Sequence, residues 1–426
     1  MFTTLRNAWN IPELRKKLLY TLMVIIVFRI GSAITVPFLD PAALKQLMNN
    51  TSGTLTGYID ILTGGAFSRA TIFSMSVTPY INASIIIQLL TIAIPALERL
   101  QKEGEVGRKK LAQVTRYTTV VLGLIQGLFL YIYLRSAGVV KITDGFAGVW
   151  VAIVIISILS AGAALIMWLG EQINDKGVGN GISIILFAGI VSRGPSVAQA
   201  IVAYWKIGGQ YYALVPAIIV LSLVVIAAIV FMNEAERRIP VQYAKRVVGR
   251  KMYGGQSSYI PIKVTMSGVM PIIFASSIVS IPSLIGSYIP QSSWWYKVLN
   301  YFSYTSLVYA LIYFVLIIAF NYFYVAIQYN PHEIANNLKK NNGGVPGIRP
   351  GKPTSDYIQR ALSRITLIGA LFLGLIAVLP IAIAAGAKMN LALGGTTILI
   401  VVGVALDTTR SLESQMMMRH YKGFLE

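Results

Sequence analysis

Cysteine is absent from this chain, which excludes disulfides and thiolate metal sites. Histidine is almost absent: His332 and His420 are the only two, and both fall outside the apolar runs. His332-Glu333 lacks the second histidine of a zinc-hydrolase helix, and neither a Walker phosphate loop nor a serine-centred nucleophile elbow is present. Gly177-x-Gly179-x-Gly181 departs from dinucleotide-binding spacing and follows no predicted strand. An enzyme is therefore not expected, nor a bound metal or cofactor. Charge is scarce too, at 12% of residues, and the 16 acidic residues are outnumbered by 36 basic ones.

What the chain has in abundance is apolar length. Hydrophobic residues make up 55% of it, the composition of an integral membrane protein rather than of soluble domains. Crossing about 30 Å of hydrocarbon takes roughly 20 apolar residues. Ten runs qualify, near residues 18–37, 76–96, 115–137, 148–170, 182–203, 212–233, 267–288, 305–328, 365–386 and 392–410. An even number of crossings puts both termini on one side. With that side cytoplasmic, 27 Lys and Arg residues lie inside and 8 outside, which the positive-inside rule favours. Trp150, Trp205, Trp294 and Trp295 then fall near outer span ends and Trp168 near an inner one, as an interfacial aromatic belt requires. The first 17 residues mix Leu5, Trp9, Ile11 and Leu14 with Arg6, Arg15, Lys16 and Lys17 and read as an interfacial amphipathic helix. A cleaved signal peptide fits less well, because the apolar run that follows is a full span long.

With Arg193 of the run 182–203 counted on the outer side, Arg29 is the only fully charged side chain read as deep within a run. Transporters bury several ionisable groups at mid-membrane, so an interior this poor in charge argues for a passage or a scaffold rather than a pump. Cut near Tyr211, the spans divide five and five, and an odd number per half inverts the second half relative to the first. Residues 1–211 and 212–426 are thus expected as two halves. Span five opens with Gly179-Asn180-Gly181-Ile182-Ser183 and span ten with Gly394-Gly395-Thr396-Thr397, a faint match that also suits close helix packing. Leu55 to Phe73, broken by Gly64-Gly65, is too short and polar to span. It reads either as a surface loop or as a re-entrant segment filling a cavity.

Two large basic loops remain. Segment 234–266 carries Arg237, Arg238, Lys245, Arg246, Arg250 and Lys251 with Tyr243 and Tyr253 between them. Segment 329–364 carries Lys339, Lys340, Arg349, Lys352, Arg360 and Arg364. Such charge holds loops in the cytoplasm and meets anionic lipid; it also suits RNA phosphates. Arg349, between Ile348 and Pro350, is expected on a fixed turn.

Several blocks in one order carry a specific resemblance. Gly64-Gly65-Ala66-Phe67-Ser68-Arg69-Ala70 leads into Pro79-Tyr80-Ile81-Asn82-Ala83-Ser84-Ile85-Ile86-Ile87-Gln88. Trp168-Leu169-Gly170-Glu171-Gln172-Ile173, Gly177-Val178-Gly179-Asn180-Gly181, Phe274-Ala275-Ser276-Ser277, Asn337-Leu338-Lys339-Lys340 and Val345-Pro346-Gly347-Ile348-Arg349-Pro350-Gly351 follow. From about Pro12 to Met417 the chain resembles the bacterial SecY family, the main subunit of the Sec protein-conducting channel. The resemblance implies an all-α membrane protein of ten transmembrane helices, in two inverted five-helix halves around a central hourglass pore. It would lie in the bacterial plasma membrane with both termini cytoplasmic, move unfolded secretory polypeptides across, and release transmembrane segments sideways into lipid.

The resemblance also implies roles for particular residues. A plug at about 55–68 would include Leu55, Tyr58, Ile61, Leu62, Gly64, Gly65, Phe67 and Ser68. Val77, Ile81, Ile182, Leu186, Ile273 and Ile400 would form a pore ring. A lateral gate would set Asn82, Ser84 and Gln88 against Ser276, Ser277, Ser280 and Ile281. Arg237, Arg238, Lys245, Arg246, Arg250, Lys251, Lys339, Lys340 and above all Arg349 would dock the SecA motor ATPase and the translating ribosome. The other implied partners are SecE- and SecG-like small subunits, precursors with signal sequences, and membrane lipid. Val77 stands where the family more often has isoleucine, and Asn82 where a small hydroxyl residue is common.

The residues themselves lend physical support. Val77/Ile81 and Ile182/Leu186 are each four apart and so share a helix face. Branched aliphatic side chains offer an ion no hydrogen-bond partner, so a narrow ring of them resists ions by dewetting. The same residues are also ordinary membrane-helix packing. Interhelical polar bonds are worth about 0.6–2 kcal/mol, so a polar seam can close without locking. A secondary transporter for a small solute, with an ion or substrate site at mid-membrane, and an assembly scaffold with no pore stay open on these residues.

Overall fold

The computed structural model describes residues 2–50, 60, 63–142, 144–243, 246–248, 251–253, 257–286, 294, 306–387 and 395–422. At the N-terminus, α1 (Phe2–Asn10) and α2 (Pro12–Gly31) are separate helices. Proline suits the first turn of a new helix but cannot continue an old one, so Arg15, Lys16 and Lys17 open the spanning helix rather than close an amphipathic one. Helix α2 also stops well before residue 37. Beyond it the chain is held extended: the Val36 N–H donates to Ala70 O at 2.8 Å, Ile72 N–H to Ile34 O at 3.0 Å, and Thr35 bridges Thr71. Arg29 therefore stands in the last turn of α2, not deep in the span. A cation there meets the negative end of the helix dipole.

After α3 (Pro41–Asn50), the second expected span is α4 (Thr78–Ala93), which meets α5 (Pro95–Lys102) at 101°. The hinge is Ile94, driven into the extended region (φ −110°, ψ 111°) by the ring of Pro95. Helices α6 (Glu105–Ser136) and α7 (Gly145–Lys176) follow. The fifth expected span is α8 (Gly181–Val191) continued by α9 (Gly194–Ile207), interrupted at Ser192-Arg193 ahead of Pro195. Then come α10 (Tyr211–Glu234), α11 (Met270–Gly286), α12 (Leu307–Gln328), α13 (Pro331–Lys340), α14 (Lys352–Ala387) and α15 (Gly395–Lys422). Helices α2, α4, α6, α7, α8–α9, α10, α11, α12, α14 and α15 coincide with the ten expected spans. Among the described residues six stretches are long and apolar enough to cross a membrane on that ground alone, or seven with α4–α5 as one bent span. Helix α2 opens on Glu13, Arg15, Lys16 and Lys17, and α11 is a shorter apolar helix over Met270–Val279.

Segment 234–266, expected as loop, is a sheet. Strands β1 (Glu236–Tyr243) and β4 (Ser257–Lys263) pair antiparallel, from Glu236 opposite Lys263 to Gln242 opposite Ser257. Between them β2 (Arg246–Val248) and β3 (Lys251–Tyr253) form a hairpin. Strand β5 (Gly343–Gly344), from the other basic segment, joins β1 at Gln242 and Tyr243. The signal was period-two alternation: Ile239 and Val241 are buried between exposed Arg238, Pro240 and Gln242. Pro240 is tolerated because β5 covers only the far end of β1, and proline keeps to unpaired strand edges.

The helices gather into groups. One cluster joins α2, α4, α7, α8 and α15; another joins α3, α6 and α7; a third joins α10, α11, α12, α14 and α15. Helix α15 gives Ile400 and Val404 to the first and Leu399 to the third, so it is the strip on which both groups close. Helices α7 and α8 approach backbone to backbone. A Cβ on Gly181 would collide with Gly170 O, and one on Gly170 would meet the Ile182 side chain at 2.5 Å. Gly181→Val should thus cost about 1–3 kcal/mol by overpacking, read as a lower Tm of the purified protein in detergent. Gly194→Ala, where nothing lies within 4 Å, should leave Tm nearly unchanged.

Candidate channel constriction and cytoplasmic docking surface

Residues 63–77 cross the first helical group as a series of turns rather than as a half-helix. Phe73 stacks on Phe28 of α2, with ring centroids 5.6 Å apart and planes at 13°. Phe67 and Met75 pack outward against α6 and α7 in the second cluster, while Ala66 and Phe73 join the first. Gly64, at φ +67°, lies so near α8 that a Cβ would come within 2.5 Å of Gly189 O. The expected break at Gly64-Gly65 is therefore a close backbone approach.

Five of the six expected ring residues come together in that first cluster. Val77 caps the N-terminus of α4, Ile182 and Leu186 are buried on α8, Ile400 is buried on α15, and half-buried Ile81 packs against them. The local cause on α8 is a cap: Asn180 Oδ1 accepts the Ile182 and Ser183 N–H groups at 3.1 and 3.3 Å, while Asn174 Oδ1 accepts Gly181 N–H at 2.7 Å. The helix consequently starts at Gly181, and Ile182 and Leu186 lie one turn apart on one face. Ile273 is half-buried outside the cluster, one turn on from Val269, which packs against it.

Of the expected plug residues, Leu55, Tyr58, Ile61 and Leu62 lie outside the described residues; Gly64, Gly65, Phe67 and Ser68 sit in the turns. An anchor that sequence reasoning passed over is Asp60, 3% exposed. Its Oδ2 meets Arg193 Nη1 at 2.5 Å and its Oδ1 accepts Ser68 N–H at 2.7 Å. Its carbonyl accepts Gly65 N–H and the Thr63 hydroxyl. The signal was available, since Asp60 is the sole acid between Leu55 and Phe73. Arg193 occupies the break between α8 and α9, so one ion pair ties the segment to the helix carrying Ile182 and Leu186.

The expected gate residues are spread along two helices. Asn82, Ser84 and Gln88 are half-buried on α4; Ser276 and Ser277 lie on α11, and the side chains of Ser280 and Ile281 lie outside the description. The Ser276 and Ser277 hydroxyls both donate to Ile273 O at 2.9 Å, within their own helix. Serine in an apolar helix satisfies itself this way, on the carbonyl three or four residues back. Helix α4 packs chiefly on α6, and α11 chiefly on α12.

The basic segments converge, because β5 adds to the same sheet as β1 and β4. Ile239, Val241 and Ile262 of the sheet pack with Val325, Leu338, Val345, Ile358 and Leu362, forming one core beneath both segments. Arg237 and Arg238 are exposed on β1, Lys339 and Lys340 end α13, and Arg246 and Lys251 lie on β2 and β3; Lys245 and Arg250 lie outside the described residues. Glu236 Oε1 accepts from Arg238 Nε at 2.7 Å, and the Tyr259 ring lies 4.8 Å from the guanidinium carbon. Bonding to Glu236, then the charge of Tyr259, raise the Arg238 pKa above its ordinary value. Arg349 follows a tight turn, in which Ile348 N–H donates to Val345 O at 3.0 Å with Pro346 and Gly347 (φ +79°) at the corners. Proline then glycine is the pairing a type II turn requires. Thr354 Oγ1 donates to Arg349 O at 2.8 Å, so the backbone is held while the side chain stands exposed.

A SecY family model matches residues 71–409. The chain belongs to the SecY family. The protein translocase subunit SecY of Streptomyces galbus is 44% identical over 439 residues, and that of Mycobacterium tuberculosis (strain H37Rv) 44% over 448, each match covering all of both chains. Among solved structures, that of a protein conducting channel matches with TM-score 0.61 at 18% identity, covering 94% of this chain and 92% of that one. Sec61 in the canine ribosome-channel complex matches with TM-score 0.57 at 18% identity over the same shares. Idle yeast Ssh1 complex bound to the 80S ribosome matches with TM-score 0.60 at 15% identity, covering 92% and 88%. At such identities the likeness is one of fold: a multi-pass helical membrane protein of SecY architecture.

Asp60→Asn should cost about 1–3 kcal/mol, less than the roughly 3–5 kcal/mol of breaking a fully buried ion pair, because Arg193 keeps some exposure to water. Limited proteolysis of the purified protein should then cut faster near residue 60. Arg193→Gln should do the same, and the double variant should be little worse than either alone.

Proposed function

We propose that this chain is the channel-forming subunit of a protein translocase, through which unfolded secretory polypeptides pass and from which transmembrane segments leave sideways into lipid. The observation that carries the reading is the convergence of Val77, Ile81, Ile182, Leu186 and Ile400, from α4, α8 and α15, against Ala66 and Phe73 of the crossing segment. An aliphatic collar sheds water and ions, yet yields around a polypeptide of any sequence because it offers no specific bond to break. Ile273 would complete the ring from α11. The segment at about 55–68 serves as the plug, and the interval between α4 and α11 as the lateral gate. Their separate packing partners favour parting along that line.

In this reading residues 1–211 and 212–426 are inverted halves that hinge apart, both termini are cytoplasmic, and the membrane is the bacterial plasma membrane. The chain supplies no catalysis, so SecA or the translating ribosome drives transport, bound at Arg237, Arg238, Lys339, Lys340, Arg349 and the β2–β3 hairpin. Ribosome-bound relatives of the same fold support the docking role. SecE- and SecG-like subunits would complete the complex. A small-solute transporter is disfavoured by the place of Arg29, which lies in the last turn of α2 and leaves that span without a charge at mid-membrane.

Ile400→Asn should wet the collar and favour the open channel. A shift of about 1.4 kcal/mol changes the open-to-closed ratio tenfold. Expected are ion leakage in planar bilayers and better export of a precursor with a defective signal sequence; if neither occurs, Ile400 is a packing residue and the collar is misassigned. Arg349→Glu should reduce SecA-driven export at least tenfold while the channel still inserts and folds, since the side chain is exposed and no buried charge is created. Normal ATP-dependent export by that variant would restrict the basic segments to topology.

A further inference from the structure

Among the described residues, Arg29 and Arg69 are two neighbouring cations with no acidic partner. Arg29 is half-buried, and its Nη1 is enclosed with no hydrogen-bond partner among the described residues. Arg69 is exposed, on the segment that the Val36–Ala70 and Ile72–Ile34 bonds clip to the chain leaving α2. The two charges are near enough to repel. Among the described residues neither arginine has an acidic partner. Burying part of an unpaired guanidinium beside a second one is unfavourable unless an anion completes the arrangement. Below them, Leu22, Met23, Ile26 and Ile30 leave one face of α2 apolar and exposed.

We propose that Arg29 and Arg69 bind the phosphodiester of a phospholipid headgroup, in the leaflet where α2 ends, with its acyl chains lying along the exposed face of α2. Guanidinium groups match phosphate oxygens with paired, charge-assisted hydrogen bonds, and the Nη1 lacking a partner is a donor already desolvated for that bond. The apolar face running from the arginines along the helix favours a lipid over a free anion or an acidic peptide, because the ligand's anionic and apolar parts are then both satisfied. The bound lipid neutralises the repelling pair at the junction of α2 with residues 69–72, so it also steadies the segment that continues into Phe73 and Val77.

The test is native mass spectrometry of the full chain purified in detergent and titrated with dioleoylphosphatidylglycerol. The wild-type protein should retain one lipid that Arg29→Gln/Arg69→Gln binds at least about tenfold more weakly, a loss near 1.4 kcal/mol. Arg29→Lys should keep much of the binding, and millimolar inorganic phosphate should not displace the lipid. If the double variant does not fold, Arg69→Gln at its exposed position must by itself show the weakening. Equal binding by wild type and variants, equal retention of dioleoylglycerol, which has no phosphate, or displacement by inorganic phosphate would each overturn the proposal.

Discussion

Glycine lets backbone meet side chain or backbone where residues 63–77 cross the first group of helices. Gly31 makes room for Phe73, Gly162 lies under Ile72 O, and Gly64 lies against Gly189. A Cβ at Gly31 or Gly162 would collide outright, so the segment holds its depth only because α2 and α7 present no side chain there. From that depth follow the stacking of Phe73 on Phe28, the burial of Asp60 against Arg193, and the position of Val77 at the start of α4. The aliphatic cluster depends on it, because Ala66 and Phe73 are the surface against which Val77, Ile182, Leu186 and Ile400 close.

The cluster joins a strong constraint to a weak one. Within the first group, α7 and α8 are locked by the Gly170–Gly181 approach and by the Asn180 and Asn174 caps. Between the groups, α15 is shared: it turns Ile400 and Val404 one way and Leu399 the other. The contact of Ile400 and Val404 is apolar, and toward the C-terminal end of the same helix the Lys17 Nζ donates to Gln415 Oε1 at 3.1 Å. In the second group, Asn321 bonds to Ser267 and to Thr366 O, which ties α12 to α14.

The sheet β4–β1–β5 has a comparable role outside the membrane. Two residues of β5 suffice to join strands paired across 100 and 102 positions, because the shared core of Ile239, Val241, Ile262, Leu338 and Val345 buries apolar area beneath them. Arg237, Arg238, Lys339, Lys340 and Arg349, drawn from two stretches of chain, are exposed on elements that share this one core. A rigid array of exposed cations binds a polyanion with less loss of freedom than mobile loops do.

The sequence by itself determined the class of protein, the ten helical runs and the basic segments, because apolar length, periodicity and local charge are properties of neighbouring residues; the collar residues came only from the resemblance. The turn before Arg349 was expected for the same reason, whereas the breaks at Pro12 and Pro95 were passed over, although each proline acts through its own backbone. What only the tertiary structure decided depends on groups far apart in the chain. The end of α2 at Gly31, and with it the place of Arg29, was decided by hydrogen bonds to residues 70–72. The Asp60–Arg193 pair spans 133 positions, and neither residue carries a local sign of the other. The sheet between the two basic segments needed a pairing of Gly343–Gly344 with Gln242–Tyr243 that no alternation in so short a strand could announce. The Ser276 and Ser277 hydroxyls, expected to face a neighbouring helix, also donate to a carbonyl of their own helix, because one a turn back is always within reach.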